Sequence, residues 1–175
     1  MNNQLMFSSE DMTWETPLYF FNKLNLEFNF TLDVCCVPET AKCVNYFTPE
    51  DDGLSQDWGN NTCWMNPPYG RDIIRWMKKA YEASLKGALV VCLVPARTDT
   101  EWFQTYAMRA EEIRFVKGRL KFGNNGEAIN SAPFPSAIVI FNRYVNRPLH
   151  ITTYDKSYVC PFKYNEQIEP FQFIQ

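Results

Sequence analysis

The sequence has 175 residues, of which 46% are hydrophobic and 21% charged, a composition typical of a folded domain and not of a disordered chain. The net charge is only -3, and no run of 18 apolar residues predicts a membrane span. The acidic start lacks the basic segment of a signal peptide. We therefore expect a cytoplasmic protein with one domain over 1–175, in which 142–175 form a C-terminal extension.

Histidine and cysteine are poorly placed for a metal site. His150 is the single histidine, and no two of the six cysteines have the C-x-x-C spacing of zinc ligands. Cys92 lies in an apolar run and is expected to be buried. We expect no metal.

Charge is unevenly distributed along the chain. Residues 1–60 contain 10 acidic and 2 basic side chains, whereas residues 71–121 contain 11 basic and 6 acidic ones. A basic middle segment is typical of a surface that binds a polyanion. The solvated side of a helix explains Lys78, Lys79 and Lys86 equally simply.

Apolar periodicity predicts alternating helices and strands. Thr16 and Pro17 are typical of a helix start, with Thr16 as the N-cap. The helix that follows carries an apolar face of Leu18, Phe21, Leu24 and Phe28. Further helices are predicted at 38–43, 71–86 and 98–111, the last capped by Thr98 or Asp99. Strands are predicted at 30–34, 44–47, 62–65, 87–96, 113–122 and 136–141, and a loop at 123–135.

This alternation predicts an α/β fold with a mostly parallel sheet covered by helices. Ligands bind such folds at the carboxyl ends of the strands. Two candidate sites lie there, namely Asp33 after the first strand and the tetrapeptide at 66–69 after the strand at 62–65.

The tetrapeptide Asn66-Pro67-Pro68-Tyr69 suits chemistry on a planar amine. The exocyclic nitrogen of adenine is a poor nucleophile because its lone pair is delocalised into the ring. An Asn carbonyl and a backbone carbonyl that accept from this amino group favour a tetrahedral nitrogen and stabilise developing charge. The prolines fix where the Pro67 carbonyl points, and Tyr69 offers a stacking surface. A rigid turn with Tyr69 covering the core is the structural alternative.

The tetrapeptide matches the catalytic motif of S-adenosylmethionine-dependent amino-group methyltransferases. Together with FTLDVCCVPETAKCVNYFTPEDDGL, WMNPPYG, GRLKFG and SAPFPSAIVIF, it makes residues 13–142 resemble the bacteriophage-type DNA N-6-adenine methyltransferases (phage Dam-like). The resemblance implies a Rossmann-like class I methyltransferase with a seven-stranded, mostly parallel sheet and helices on both faces. It also implies a phage-encoded enzyme in the cytoplasm of a bacterial host.

The resemblance assigns roles to residues. Asn66, Pro67, Pro68 and Tyr69 would be catalytic, with Tyr69 stacked on the flipped base and Phe122 or Phe134 closing its other face. Binding of S-adenosylmethionine would involve Trp14, Thr16, Pro17, Asp33, Val34, Cys35, Asn66 and an acid among Asp51, Asp52 and Asp57. Many methyltransferases have a Gly-rich loop after the first strand, but the first glycine here is Gly53.

The expected reaction is in-line methyl transfer to adenine N6 in double-stranded DNA, with Arg71, Arg75, Lys117, Arg119 and Lys121 as candidates for phosphate contacts. Site selection would come from loop 123–135, the C-terminal tail or a second copy of the chain in a homodimer. Two alternatives stay open. One is a methyltransferase acting on cytosine N4 or protein glutamine, and the other is a catalytically silent nucleic-acid-binding module.

Overall fold

Nine strands and three α-helices lie in the residues that the computed structural model describes, which are 14–124, 127–142 and 148–157. The helices are α1 (Leu18–Phe28), α2 (Ile73–Leu85) and α3 (Glu101–Thr105). The strands are β1 (Leu32–Asp33), β2 (Asn45–Tyr46), β3 (Thr62–Met65), β4 (Leu89–Pro95), β5 (Glu112–Val116), β6 (Lys121–Asn124), β7 (Glu127–Ser131), β8 (Ser136–Phe141) and β9 (His150–Tyr154). Much of the predicted C-terminal extension, including Cys160, lies outside the described residues.

Seven of these strands form one sheet in the order β2-β1-β3-β4-β8-β5-β9. β8 is antiparallel to both of its neighbours, and the other adjacent strands pair in parallel. The predicted α/β class and the seven strands are confirmed, but the sheet is mixed and not wholly parallel. The β6–β7 hairpin joins β5 to β8, and without a crossover helix the returning strand runs in the opposite direction.

Helices α1 and α2 pack on opposite faces of this sheet. Phe21 of α1 meets Trp64 of β3 edge to face, with ring centroids 5.4 Å apart. Trp64 pairs with Val91 of β4, which pairs with Ile140 of β8, so these side chains lie on the same face of the sheet. The next residue of β8, Phe141, therefore lies on the opposite face. Tyr81 of α2 contacts Phe141 on that second face.

The centre of the sheet is apolar throughout. All seven residues of β4 are buried, including Cys92 as predicted, and all six residues of β8 are buried beside them. Continuous burial is typical of a central strand that is covered on both faces. These two strands give a rigid base to the loops at the carboxyl end of β4.

The start of α1 differs from the prediction. Pro17 and not Thr16 is the N-cap, and no side chain makes a capping hydrogen bond there. Leu18 is 61% exposed, while Phe20 is buried instead. The rest of the predicted apolar face is confirmed, because Phe21, Leu24 and Phe28 are buried.

The predicted strand at 113–122 is interrupted. Gly118 adopts φ +73°, a left-handed conformation that ends β5 and redirects the chain into β6. The predicted loop 123–135 contributes β7, which pairs with β6 as a hairpin. His150–Tyr154, predicted as part of an extension, forms the edge strand β9 beside β5. No helix in the described ranges has the length and apolar character needed to cross a membrane.

Candidate active site

The carboxyl ends of β1 and β3 open into one cavity of about 310 Å³. Asp33 ends β1 and Asn66 follows β3, so the parallel pairing of these strands brings the two sequence-predicted sites together. This volume falls within the range of about 300–1,000 Å³ that is common for small-molecule pockets.

Most of the predicted cofactor residues line this cavity. The lining includes Trp14, Thr16, Asp33, Val34, Cys35, Asp52, Asn66 and Pro68. Pro17, Asp51, Asp57, Pro67 and Tyr69 are not among the lining residues. The lining residues that sequence reasoning missed include Glu15, Lys42, Gly53 and Trp76.

The three candidate acids in the loop between β2 and β3 have different surroundings. Asp51 accepts hydrogen bonds from the backbone N–H and the hydroxyl of Thr48, at 2.8 and 2.9 Å, and these bonds lower the pKa of Asp51. Asp57 accepts from the backbone N–H of Gly59 at 3.1 Å. Asp52, at φ +48°, is the one of the three that lines the cavity.

Asp33 is buried at the cavity wall. Its two carboxylate oxygens accept from the backbone N–H groups of Lys42, at 3.0 Å, and Cys35, at 3.4 Å. Burial raises the pKa of Asp33 above its ordinary value, and these hydrogen bonds oppose the rise. The carboxylate therefore holds the two loop segments together and presents a desolvated acid to the cavity.

Gly53, in the loop after β2, comes close to the backbone that follows β1. A Cβ atom at position 53 would lie 2.3 Å from the carbonyl oxygen of Val34 and 3.3 Å from the Trp76 ring. The close backbone approach therefore needs a glycine, but that glycine comes from the loop after β2. The sequence departs from the common pattern in the position of the glycine.

Thr16 leaves a buried polar atom without a partner. The residue is 2% exposed, and its hydroxyl oxygen has no hydrogen-bond partner within the described part of the chain. An unsatisfied buried hydroxyl costs about 1–3 kcal/mol. Since Thr16 lines the cavity, a ligand that supplies a partner would remove this cost.

The side-chain amide of Asn66 is held from both sides. Its Nδ2 donates to the Trp14 carbonyl at 2.5 Å, and its Oδ1 accepts from the Tyr69 hydroxyl at 2.6 Å. The Leu93 carbonyl lies 3.2 Å from the same hydroxyl. Burial raises the pKa of Tyr69 well above its ordinary value, so the hydroxyl keeps the proton that it donates.

Four aromatic rings form a cluster beside Asn66, which we call the aromatic cluster. Trp14 and Tyr69 each meet both Phe122 and Phe134 edge to face, with centroids 5.4–6.3 Å apart. Tyr69 and Phe122 are buried, and Phe134 is partly exposed. Because Phe122 and Phe134 both pack edge to face against Tyr69, a planar ligand that stacks on Tyr69 would have to displace one of them, and Phe134 is the more accessible of the two.

The thiols near this cavity are protonated. Burial is the main cause that raises the pKa of Cys36 and Cys43 to about 12 and the pKa of Cys35 well above its ordinary value. The described residues contain no cluster of three or more His, Cys, Asp or Glu side chains able to hold a metal ion.

The predicted phosphate contacts lie near the carboxyl edge of the sheet. Arg71, Arg119 and Lys121 are exposed. Arg75 pairs with Asp72 at 3.4 Å and Lys117 with Asp155 at 3.1 Å, both on the surface. Arg97 is a further exposed cation, which sequence reasoning missed although it lies two residues after the end of the strand β4.

Comparison with known proteins identifies the family of this chain. The profile of the family described as DNA N-6-adenine-methyltransferase (Dam) matches residues 4–160. The chain belongs to this family. It is therefore an adenine-specific DNA methyltransferase, and the alternatives of another amine substrate and of a silent binding module are set aside.

Two phage proteins illustrate the similarity of this methyltransferase to its relatives. A DNA N-6-adenine-methyltransferase of Haemophilus phage HP1 is 33% identical over 139 residues, which cover 77% of this chain and 80% of that protein. A DNA N-6-adenine-methyltransferase of Escherichia phage T1 is 28% identical over 174 residues, which cover 88% of this chain and 73% of that protein.

Proposed function

We propose that S-adenosylmethionine binds in the cavity and that the chain methylates N6 of an adenine flipped out of duplex DNA. The observation that carries this proposal is the position of Asn66. It lines the cavity, and its amide oxygen contacts Tyr69 of the aromatic cluster. The amino group of a flipped base held at Asn66 would thus lie next to the methyl donor in the cavity.

The residues around the cavity fit S-adenosylmethionine. The charged lining residues are three acids, Glu15, Asp33 and Asp52, and one base, Lys42. An excess of acid suits a ligand that is cationic at sulfur and at its amine. The partnerless Thr16 hydroxyl offers a further hydrogen bond, and the bound molecule supplies an electrophilic methyl group on a sulfonium.

The nucleoside half of the ligand would lie toward Trp76 and Asp52. Trp76 lines the cavity beside Gly53 and is held by a stacked contact with buried Trp58, with centroids 6.5 Å apart. An indole is a suitable platform for adenine, and the Asp52 carboxylate is a suitable acceptor for ribose hydroxyls.

Asn66 and Pro67 would bind the target amino group. The Asn66 oxygen has two acceptor positions, of which the Tyr69 hydroxyl occupies one. The second position and the Pro67 carbonyl would accept the two amino hydrogens of adenine. Acceptors fixed in advance stabilise the positive charge that develops on the nitrogen, at little cost of reorganisation.

DNA would approach the carboxyl edge of the sheet. Arg71, Arg97, Arg119 and Lys121 make no ion pair within the described residues and so are available for phosphates. The flipped base would displace Phe134 and stack on Tyr69. Flipping costs a few kcal/mol, which the new stacking contacts help to offset.

Replacement of Asn66 tests this proposal. Asn66→Ala should abolish transfer of a labelled methyl group to DNA, while calorimetry shows S-adenosylmethionine bound within about twofold of the wild-type affinity. Asn22→Ala, at an exposed position of α1, is the matched control and should retain full activity. Full activity of Asn66→Ala would overturn the role of Asn66, and a wild-type chain that binds no S-adenosylmethionine would overturn the proposed cofactor.

A further inference from the structure

An ion pair forms part of the cavity wall. The Nζ of Lys42 lies 3.1 Å from a carboxylate oxygen of Glu15, and the two side chains are only 10% and 16% exposed. Glu15 comes from the segment before α1, whose backbone bridges to Gly123 of the β6–β7 hairpin. Lys42 comes from the segment between β1 and β2, and its backbone N–H donates to Asp33.

Lys42 has a distinct position among the charged lining residues. It is the single cation among the described residues of the cavity wall, whereas the wall contains three carboxylates. A ligand carboxylate that enters this partly desolvated space needs a cation or hydrogen-bond donors to offset the loss of water. Lys42 can supply the charge, and the partnerless Thr16 hydroxyl, on the residue next to Glu15, can donate a hydrogen bond.

We propose that Lys42 binds the carboxylate of the methionine part of S-adenosylmethionine and that Glu15 binds its ammonium group. This assignment rests on the proposed function. The charges of the ligand zwitterion are complementary to those of the ion pair, because its carboxylate would face Lys42 and its ammonium group would face Glu15. Both protein charges therefore stay compensated in the bound state. The site then selects sulfonium nucleosides that retain an intact amino-acid group.

A purely structural role for the ion pair predicts a different result. In that case Lys42 would only fasten the segment before α1 to the loop after β1, and its loss would weaken binding of every ligand that fits the cavity. Ligand selectivity separates the two roles, because only a direct contact depends on whether the ligand has a carboxylate.

The test compares S-adenosylmethionine with decarboxylated S-adenosylmethionine, which keeps the sulfonium and the amine but lacks the carboxylate. Calorimetry should show that the wild-type chain binds the intact ligand at least tenfold more tightly. Lys42→Met should reduce this ratio to about one, mainly by weakening the intact ligand. Lys78→Met breaks the exposed pair with Glu82 and serves as the matched control, with the wild-type ratio.

Lys42→Met removes the cation that pairs with the Glu15 carboxylate and could therefore impair folding. A second variant controls for this effect. Glu15→Gln/Lys42→Met removes both charges and should also lose the preference for the intact ligand, with a native circular dichroism spectrum. An unchanged ratio in both variants, or equal weakening of both ligands, would overturn the assignment to Lys42. If the wild-type chain binds neither ligand, the proposed function fails and this assignment with it.

Discussion

Removal of one oxygen atom from Tyr69 tests how the Asn66 amide is oriented. Tyr69→Phe keeps the ring that packs against Phe122 and Phe134 but deletes the hydroxyl that donates to Asn66 Oδ1 at 2.6 Å. The amide then keeps a single hydrogen bond, from its Nδ2 to the Trp14 carbonyl. We expect the amide oxygen to be less well fixed toward the target amine.

The size of the effect follows from the hydrogen bonds lost. A hydrogen bond contributes about 1 kcal/mol net, and the buried acceptors left behind, including the Leu93 carbonyl, raise the total cost to about 1–3 kcal/mol in the free energy of unfolding. If about 1.4 kcal/mol of positioning is also lost in the transition state, the rate falls about tenfold.

Single-turnover methyl transfer with saturating DNA and S-adenosylmethionine measures the rate, and urea unfolding measures the stability. We expect about one-tenth of the wild-type rate with little change in the affinity for S-adenosylmethionine. Tyr81→Phe is the matched control, because the Tyr81 ring packs on Phe141 outside the aromatic cluster. A Tyr69→Phe variant with the full wild-type rate would refute the positioning argument and leave only ring stacking.

Three further predictions concern stability and binding. Arg114→Met removes the cation that lies 2.7 Å from buried Glu27, and urea unfolding should show a loss of about 3–5 kcal/mol; a wild-type midpoint would contradict this. Burial raises the pKa of Asp33, so calorimetry should show that the affinity for S-adenosylmethionine falls as the pH drops through that raised value, because the acid gains a proton and loses its charge. Asp33→Asn should bind S-adenosylmethionine weakly at every pH. A wild-type affinity that does not change with pH would count against a contact between Asp33 and the ligand. Gly53→Ala places a Cβ 2.3 Å from the Val34 carbonyl, so both the melting temperature and the S-adenosylmethionine affinity should fall, and native values for both would exclude the close approach.

Local sequence patterns predicted most of the elements but not the irregular ones. Strong patterns, such as the apolar run of β4 and the helical spacing of α2, correspond to observed elements. The β6–β7 hairpin escaped prediction because its polar, glycine-containing sequence resembles a loop. β9 escaped because its exposed side chains at the sheet edge give weak alternation.

For the candidate site, the sequence indicated the motif but not its surroundings. Asn66 and Asp33 follow strands, and parallel pairing of β1 with β3 accounts for their common cavity. The Glu15–Lys42 pair joins residues 27 positions apart, and no local pattern reports such a contact. The hydroxyl contact of Tyr69 with Asn66 also depends on the turn geometry of the two prolines, which composition alone does not specify.

The most direct test of the central claim is identification of the methylated product. Unmethylated duplex DNA is incubated with the wild-type chain and S-adenosylmethionine labelled in its methyl group, and the DNA is then digested to nucleosides for mass spectrometry. We predict that the label appears in N6-methyladenosine (as the deoxynucleoside) and is absent with Asn66→Ala. Label in a cytosine nucleoside, or no label in DNA from a folded chain that binds S-adenosylmethionine, would contradict the account.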